Sequence, residues 1–454
     1  MIVISESNDR GRNMAVRVIF SLLAQNKLER RAAPLLAECR NALEPFLRDL
    51  RQRIELVFPD ASHVVVQQVY KGFRQQQDDE CILGVEVTQG DQTRPMVVKL
   101  GKRAHTPGTR NPLAEEFENW NVCRPDGVHH DLVLMGLKAA YHGSDLIALI
   151  YEDAQQMIGV EQTVPLEEAL LACVRVGEPT AQSLASLLFE LYERLGRLLY
   201  SHSFDDDPKT WRDEVREPRI DRHLVRNLSD WEAPEALQLR CEVTTELEHP
   251  RWKDQFHDPV YQLRYLMDHW GERPFPRLLR GRGHGDLHGR NILVGRVEDL
   301  VLWPAVFDYG NLGANNLIAW DFVKLETEFK IRAYPRLFVH DRSFSRDVVE
   351  FETALGETSR AAHGHFDWPP RADLPTPADR LKWLLLRIRN LAARHLSQSN
   401  RSQLWRAEYD FVLSVYGLNA VRFSNLKPVE RKGAYLSAGC AAARYVLPPR
   451  SGTA

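Results

Sequence analysis

The stretch GRGHGDLHGRNILV, residues 281–294, brings His284, Asp286, His288 and Asn291 close together just ahead of residues that favour a strand. Moving a phosphoryl group from a nucleotide to a hydroxyl needs few covalent participants. It needs a carboxylate to orient the attacking hydroxyl, oxygen ligands for magnesium and a cation on the phosphates. Asp286, following His284 and Gly285, can sit on a tight loop facing an acceptor hydroxyl. Asn291 can offer a neutral amide oxygen to magnesium, and Asp308, in FDYG, can offer a carboxylate to the same ion. A hairpin between these two residues brings them together despite their separation in sequence.

The hairpin is legible in the residues between them. NILVGRV and LVLWPAVFDYG are strand-forming runs separated by EDL. Upstream, HVVVQQVY, CILGVEV and RPMVVKL read as three strands, the last two joined by the turn signal TQGDQT. NPLAEEFENWNV suits a helix, with Pro112 in its first turn and Leu113, Phe117 and Trp120 at helical spacing. Glu116 shares that apolar face and points inward, whereas Glu115 and Glu118 are expected to be solvated. Strands around DLVLMGLKAAYHG and SDLIALIYEDA complete a five-stranded antiparallel sheet interrupted by one helix. From Met14 to Phe58 the apolar spacing predicts a helical extension over residues 1–60. After Asp153 the chain is mainly helical, with a wide leucine stripe over Ser183–His202, a long polar insertion at about 205–280, and further helices from Asn316 to the C-terminus.

HGDLHGRNILV followed by VFDYGNLGANNLIAWDF resembles the catalytic segment of the aminoglycoside/choline kinase-like phosphotransferases, relatives of the protein kinases. The resemblance covers roughly Ser62 to Glu328. It implies an α+β, bilobal protein-kinase-like fold, with a small antiparallel-sheet N-lobe over 61–154 and a large helical C-lobe over 155–454. It also implies ATP and Mg2+ as cofactors. The family's roles would fall on Asp286 as catalytic base or positioner and on Asn291 and Asp308 as metal ligands. Asp321, in AWDF, would brace the loop, and His284 would organise it. His288 stands where protein kinases place a phosphate-contacting lysine. Arg290 faces either solvent or a structural carboxylate. Lys99, at the end of MVVKL, matches the lysine that contacts the α- and β-phosphates, with Glu116 as its ion-pair partner. LIALIYEDA resembles the hinge strand, where main-chain groups near Tyr151 and Glu152 would meet an adenine edge. The family's covering loop is glycine-rich, whereas VYKGFRQQQDDECILGVEV offers only Gly72 and Gly84.

The reading that follows is an ATP- and magnesium-dependent kinase whose partners are a nucleotide and a hydroxyl-bearing small molecule, or secondarily a protein. The alternative is a nucleotide-binding scaffold of weak or no activity in a bacterial signalling or defence system. Transfer of AMP would use similar parts. A formal net charge of -3 over 454 residues, with both signs interspersed, gives no footprint for nucleic acid or an anionic membrane. Six cysteines without CxxC spacing read as reduced thiols, mostly buried. No run reaches the roughly 20 apolar residues of a membrane span, so a cytoplasmic protein is expected. The helical flanks leave room for a partner protein.

Overall fold

The structure, a computed structural model, describes residues 2–5, 16–28, 43–72, 81–102, 112–123, 133–143, 146–160, 162–205, 231–268, 278–338, 343–361, 374–397, 405–423 and 425–445. Residues 73–80 of VYKGFRQQQDDECILGVEV and much of the 205–280 insertion lie outside these residues. The chain is mixed α and β. It forms two compact units, one of Met1–Pro165 with Ile292–Val297 and Leu302–Leu312, the other of Leu166–Asn291, Glu298–Val301 and Gly313–Ala454.

The first unit is built on a seven-stranded sheet. Its strands are β1 (Ile2–Ser5), β2 (Arg17–Phe20), β3 (His63–Gly72), β4 (Cys81–Gln89), β5 (Gln92–Lys102), β6 (Leu137–His142) and β7 (Leu146–Glu152), in the order β1-β6-β7-β5-β4-β3-β2. The five expected strands form its antiparallel centre. The two edge strands are additional and both pair in parallel. The helical expectation for the N-terminal residues holds over α1 (Leu43–Val57) and fails at Arg17–Phe20, which is β2. Valine, isoleucine and phenylalanine suit a pleated surface as well as a helix face, and pairing with His63–Val66 decides between them.

Strand alternation sorts the residues of β5 and β7 between two faces. Val98, Leu100, Leu146, Ala148 and Ile150 join the core beneath Leu47, Leu50, Ile54 and Val57 of α1. Val97, Lys99, Leu149 and Tyr151 therefore fall on the opposite face. There the helix α2 (Pro112–Cys123) buries Leu113, Glu116, Phe117 and Trp120, an i, i+3, i+4, i+7 stripe. A smaller sheet places β8 (Thr163–Pro165) beside β11 (Ile292–Val297), and β11 beside β12 (Leu300–Val306), as the hairpin reading expects.

The second unit carries the helices α3 (Leu166–Val176), α4 (Ala181–Leu198), α5 (Pro234–Glu246), α6 (Pro259–Asp268), α7 (Ile318–Leu337), α8 (Phe344–Ala361), α9 (Pro377–Leu396), α10 (Trp405–Val421) and α11 (Pro428–Arg444). It also holds a sheet of β9 (Phe204–Asp205), β10 (Leu279–Gly283) and β13 (Gly313–Leu317), with β10 central. The long helix α7 is fixed by charge as well as by packing. Glu326 accepts from Arg389 at 2.7 Å, Lys330 at 2.5 Å and Tyr409 at 2.6 Å. Glu352 of α8 accepts from Lys330 and Tyr334, each at 2.7 Å. Burial alone would raise the Glu326 carboxyl, but the adjoining Arg389 and Lys330 outweigh it and hold the group well below the usual carboxylate range. Deleting one member of such a buried pair costs about 3–5 kcal/mol, so these ion pairs keep α7, α8, α9 and α10 in register. Among the described residues no helix is long and apolar enough to cross a membrane.

Candidate functional site

Two clusters contain the residues singled out in the sequence. In the first unit, Lys99 lies mid-strand, paired with Ile82 on one side and Leu149 on the other. Its side chain is on the α2 face and is buried. Its ammonium donates to Glu116 Oε2 at 2.7 Å and to Asp308 Oδ1 at 2.8 Å. Tyr151, diagonal to Lys99 on the neighbouring strand, donates its hydroxyl to Glu116 Oε1. The Tyr309 amide donates to the same oxygen at 2.9 Å. Tyr309 stacks on Trp120 at 4.5 Å between ring centres and shares its hydroxyl between the Met135 and Val306 carbonyls, each at 2.8 Å.

The charge of this cluster is unequal. One buried ammonium meets two carboxylates. Burial pushes the Glu116 carboxyl up; Lys99 opposes the rise and the charge on Asp308 adds to it. Asp308 occupies the left-handed region at φ 70°, a conformation that Asp and Asn tolerate better than other side chains. Its placement follows directly on β12.

The sequence did not single out Tyr309, or the side chain of Tyr151. The FDYG tyrosine and the period of two in LIALIYE are the signals that could have found them. The expected adenine contact concerns main-chain groups near Tyr151 and Glu152, at the end of β7. Tyr151 pairs with Val97 and with Leu137 across its two strand neighbours, and the Glu152 amide donates to the Gly136 carbonyl at 2.9 Å.

In the second unit, β10 leads into the loop that carries His284, Asp286, His288 and Asn291. Gly285 adopts φ 74°, which glycine allows at no steric cost. Asp321, in the first turn of α7, accepts from the Gly285 amide at 2.7 Å through Oδ1. Its Oδ2 accepts from the His284 amide at 2.9 Å and from the Tyr200 hydroxyl at 3.1 Å. Asp321 and His284 are both fully buried. The His284 ring in turn accepts from the Asp286 amide at 3.3 Å through Nδ1. A buried carboxylate thus fixes the backbone of the loop at two successive residues.

The rest of the loop closes on itself. The Asn291 amide donates to the His288 carbonyl at 2.9 Å. The Asn291 side chain donates through Nδ2 to the Asp286 carbonyl at 3.0 Å, while its buried Oδ1 has no hydrogen-bond partner among the described residues. A buried amide oxygen with an unused lone pair fits a hard cation such as magnesium, as does the Asp308 carboxylate. The His288 ring accepts from the Arg290 amide at 3.2 Å through Nδ1, and its Nε2 lies 4.0 Å from Asp286 Oδ1. Of the two alternatives for Arg290, the structure takes the structural carboxylates: Glu167 lies at 3.5 Å and Glu328 at 3.6 Å. Asp286 keeps a partly exposed carboxylate, paired with the ammonium of Lys324 on α7. Lys324 was not anticipated. Its place three positions after Asp321, on the same helical face, is the signal that could have shown it.

No protein-family model matches the chain, and no curated protein matches it. Solved structures to which it is similar include an ethanolamine kinase from Plasmodium vivax, at 10% identity over 80% of this chain and 77% of that one, with a TM-score of 0.33. A microcompartment-associated aminopropanol kinase is similar at 12% identity over 86% and 94%, with a TM-score of 0.35. Choline kinase from Cryptosporidium parvum is similar at 11% identity over 84% and 88%, with a TM-score of 0.34.

Proposed function

We propose that this protein is a phosphotransferase of bilobal, protein-kinase-like fold that moves the γ-phosphoryl group of ATP to a hydroxyl of a small molecule. One observation carries the reading. The loop after β10 is pinned by the buried Asp321, and it leaves two oxygen groups available for chemistry, the partly exposed carboxylate of Asp286 and the unbonded Oδ1 of Asn291.

In this reading Asp286 accepts the acceptor's hydroxyl proton and orients the oxygen in line with phosphorus. The new bond is acceptor oxygen to Pγ. The bond from Pγ to the β,γ-bridging oxygen breaks, and its electron pair leaves with ADP. Lys99, held by Glu116, contacts the nucleotide phosphates. Asn291 and Asp308 would hold magnesium, which when bound neutralises charge on the phosphate oxygens. Asp321 and His284 keep the loop in the geometry that these contacts require, since positioning supplies most of the catalysis in phosphoryl transfer.

Calorimetry with ATP, with and without magnesium, on the wild type and Asp308→Ala tests the proposal. Magnesium-dependent binding in the wild type that is lost in the variant is the expected result. Absence of binding in the wild type would overturn the reading.

A further inference from the structure

The loop after β10 presents a charge problem. A carboxylate that orients the acceptor must come close to a transferring phosphoryl group of the same sign, and like charges at contact oppose each other strongly where water is partly excluded. The loop's own side chains do not solve it. Arg290 points to Glu167 and Glu328. The His288 ring takes the Arg290 amide hydrogen on Nδ1 and leaves Nε2 at 4.0 Å from Asp286, beyond hydrogen-bond reach.

The cation that does reach the carboxylate comes from another element. Lys324, on α7, donates its ammonium to Asp286 Oδ1. Three features hold it there. Asp321, three residues earlier on the same helix, fixes the loop against α7, so brace and ammonium share one rigid support. The ammonium lies over the Tyr416 ring at 5.6 Å from its centre, a cation–π contact that orients it. Tyr416 is itself held, donating its hydroxyl to Glu328 Oε1 at 3.0 Å and meeting Trp320 edge-on at 5.1 Å. The Lys324 side chain is 14% exposed and that of Asp286 19%, so the pair is neither sealed in the core nor freely solvated. The bracing of the loop backbone belongs to Asp321 and not to the ammonium.

We infer that Lys324 is the residue that contacts the transferring phosphoryl group, a cation delivered to Asp286 from helix α7 rather than from the loop itself. This rests on the proposed kinase reading and adds a catalytic residue to it. During transfer Lys324 stays protonated. It offsets the charge of Asp286 and donates to a γ-phosphate oxygen, while the acceptor proton still goes to Asp286.

A contact to the γ-phosphate predicts discrimination between nucleotides. Calorimetry in magnesium with ADP and with the non-hydrolysable ATP analogue AMP-PNP is the measurement, on the wild type, Lys324→Gln and Lys324→Arg, with melting curves to establish that each is folded. Lys324→Gln should weaken AMP-PNP about tenfold or more, the worth of one charge-assisted hydrogen bond, and leave ADP unchanged. Lys324→Arg should keep most of the AMP-PNP affinity, and Lys324→Met takes the place of the glutamine variant if that protein does not fold. Equal weakening of both nucleotides, or of neither, in a folded variant that has lost the charge assigns Lys324 a structural role and overturns the inference. A wild type that binds neither nucleotide overturns the kinase reading itself and the inference with it.

Discussion

Lys99 holds Asp308 at 2.8 Å across 209 positions of sequence, and it holds Glu116 at 2.7 Å with the same ammonium. The charge on Asp308 adds to the rise that burial imposes on the Glu116 carboxyl, so the two carboxylates on this ammonium oppose each other. Asp308→Asn removes one negative charge while keeping the side-chain shape, and Asn tolerates the left-handed backbone at φ 70°. The variant should melt at the same temperature as the wild type or higher, by on the order of 1 kcal/mol in stability, and should lose magnesium-dependent ATP binding. Parallel thermal melting and calorimetry check both halves. A variant that melts lower and still binds ATP would show that Asp308 serves the fold.

Asp321 should behave in the opposite way. Its two oxygens accept from the His284 amide, the Gly285 amide and the Tyr200 hydroxyl, all buried. Asp321→Asn replaces one acceptor oxygen with a donor that faces donors. Buried groups left unsatisfied cost about 1–3 kcal/mol each, so a loss of about 2–4 kcal/mol is expected by denaturant titration, together with loss of phosphotransfer. A stability equal to that of the wild type would mean that the loop does not depend on this carboxylate.

What could be read from the sequence follows the range of the signals. Glu116 is found by the i, i+3, i+4, i+7 stripe of Leu113, Phe117 and Trp120, and Lys99 by the resemblance that places MVVKL as the lysine-bearing strand, itself an apolar run. Both are local patterns that tertiary contacts did not override. The strand Arg17–Phe20 reads as helical spacing in the sequence because its partner, His63–Val66, lies more than forty residues away, and parallel pairing leaves no local turn signal. The ion pairs of Glu326, Lys330, Glu352 and Arg389 were invisible for a related reason. Charged residues on helices are ordinarily solvated, and only the packing of four helices shows that these are buried. Lys324 escaped notice because its partner sits on a loop whose position relative to α7 is set by Asp321.

Gly289 lies in the loop between His288 and Arg290, and its importance is one of space. A Cβ there would come within 2.7 Å of the Glu167 amide nitrogen and 2.9 Å of its Cα, and both are backbone atoms at the start of α3. The Glu167 amide also donates to the Gly289 carbonyl at 3.1 Å, so the two segments cannot separate without losing that bond. Gly289→Ala should cost about 1–3 kcal/mol, the usual range for overpacking. Because the loop also carries Asp286 and Asn291, phosphotransfer should fall as well. Chemical denaturation and a phosphotransfer assay test this, and an alanine variant of unchanged stability would show that α3 yields to the added methyl group.

His395 confers a pH dependence on the second unit. Burial, reinforced by the positive charge of Arg394, lowers its pKa from 6.5 to about 4. Glu193 Oε1, at 3.9 Å from Nε2, is too far to hydrogen-bond, and among the described residues neither ring nitrogen has a hydrogen-bond partner. The Tyr200 and Phe322 rings pack against the imidazole at 5.6 and 5.8 Å. The sign follows from linkage. Between pH 6.5 and 4 the unfolded histidine binds a proton that the folded one refuses, so stability is fully present above 6.5 and falls as the pH drops through this window. The shift corresponds to a loss on the order of 3 kcal/mol by the acid end. His395→Leu, which cannot take up a proton, should flatten the stability curve across that window while leaving other acid transitions in place. Urea denaturation at a series of pH values from 7 to 4 measures it, and equal slopes in the two proteins would exclude His395 as the titrating group.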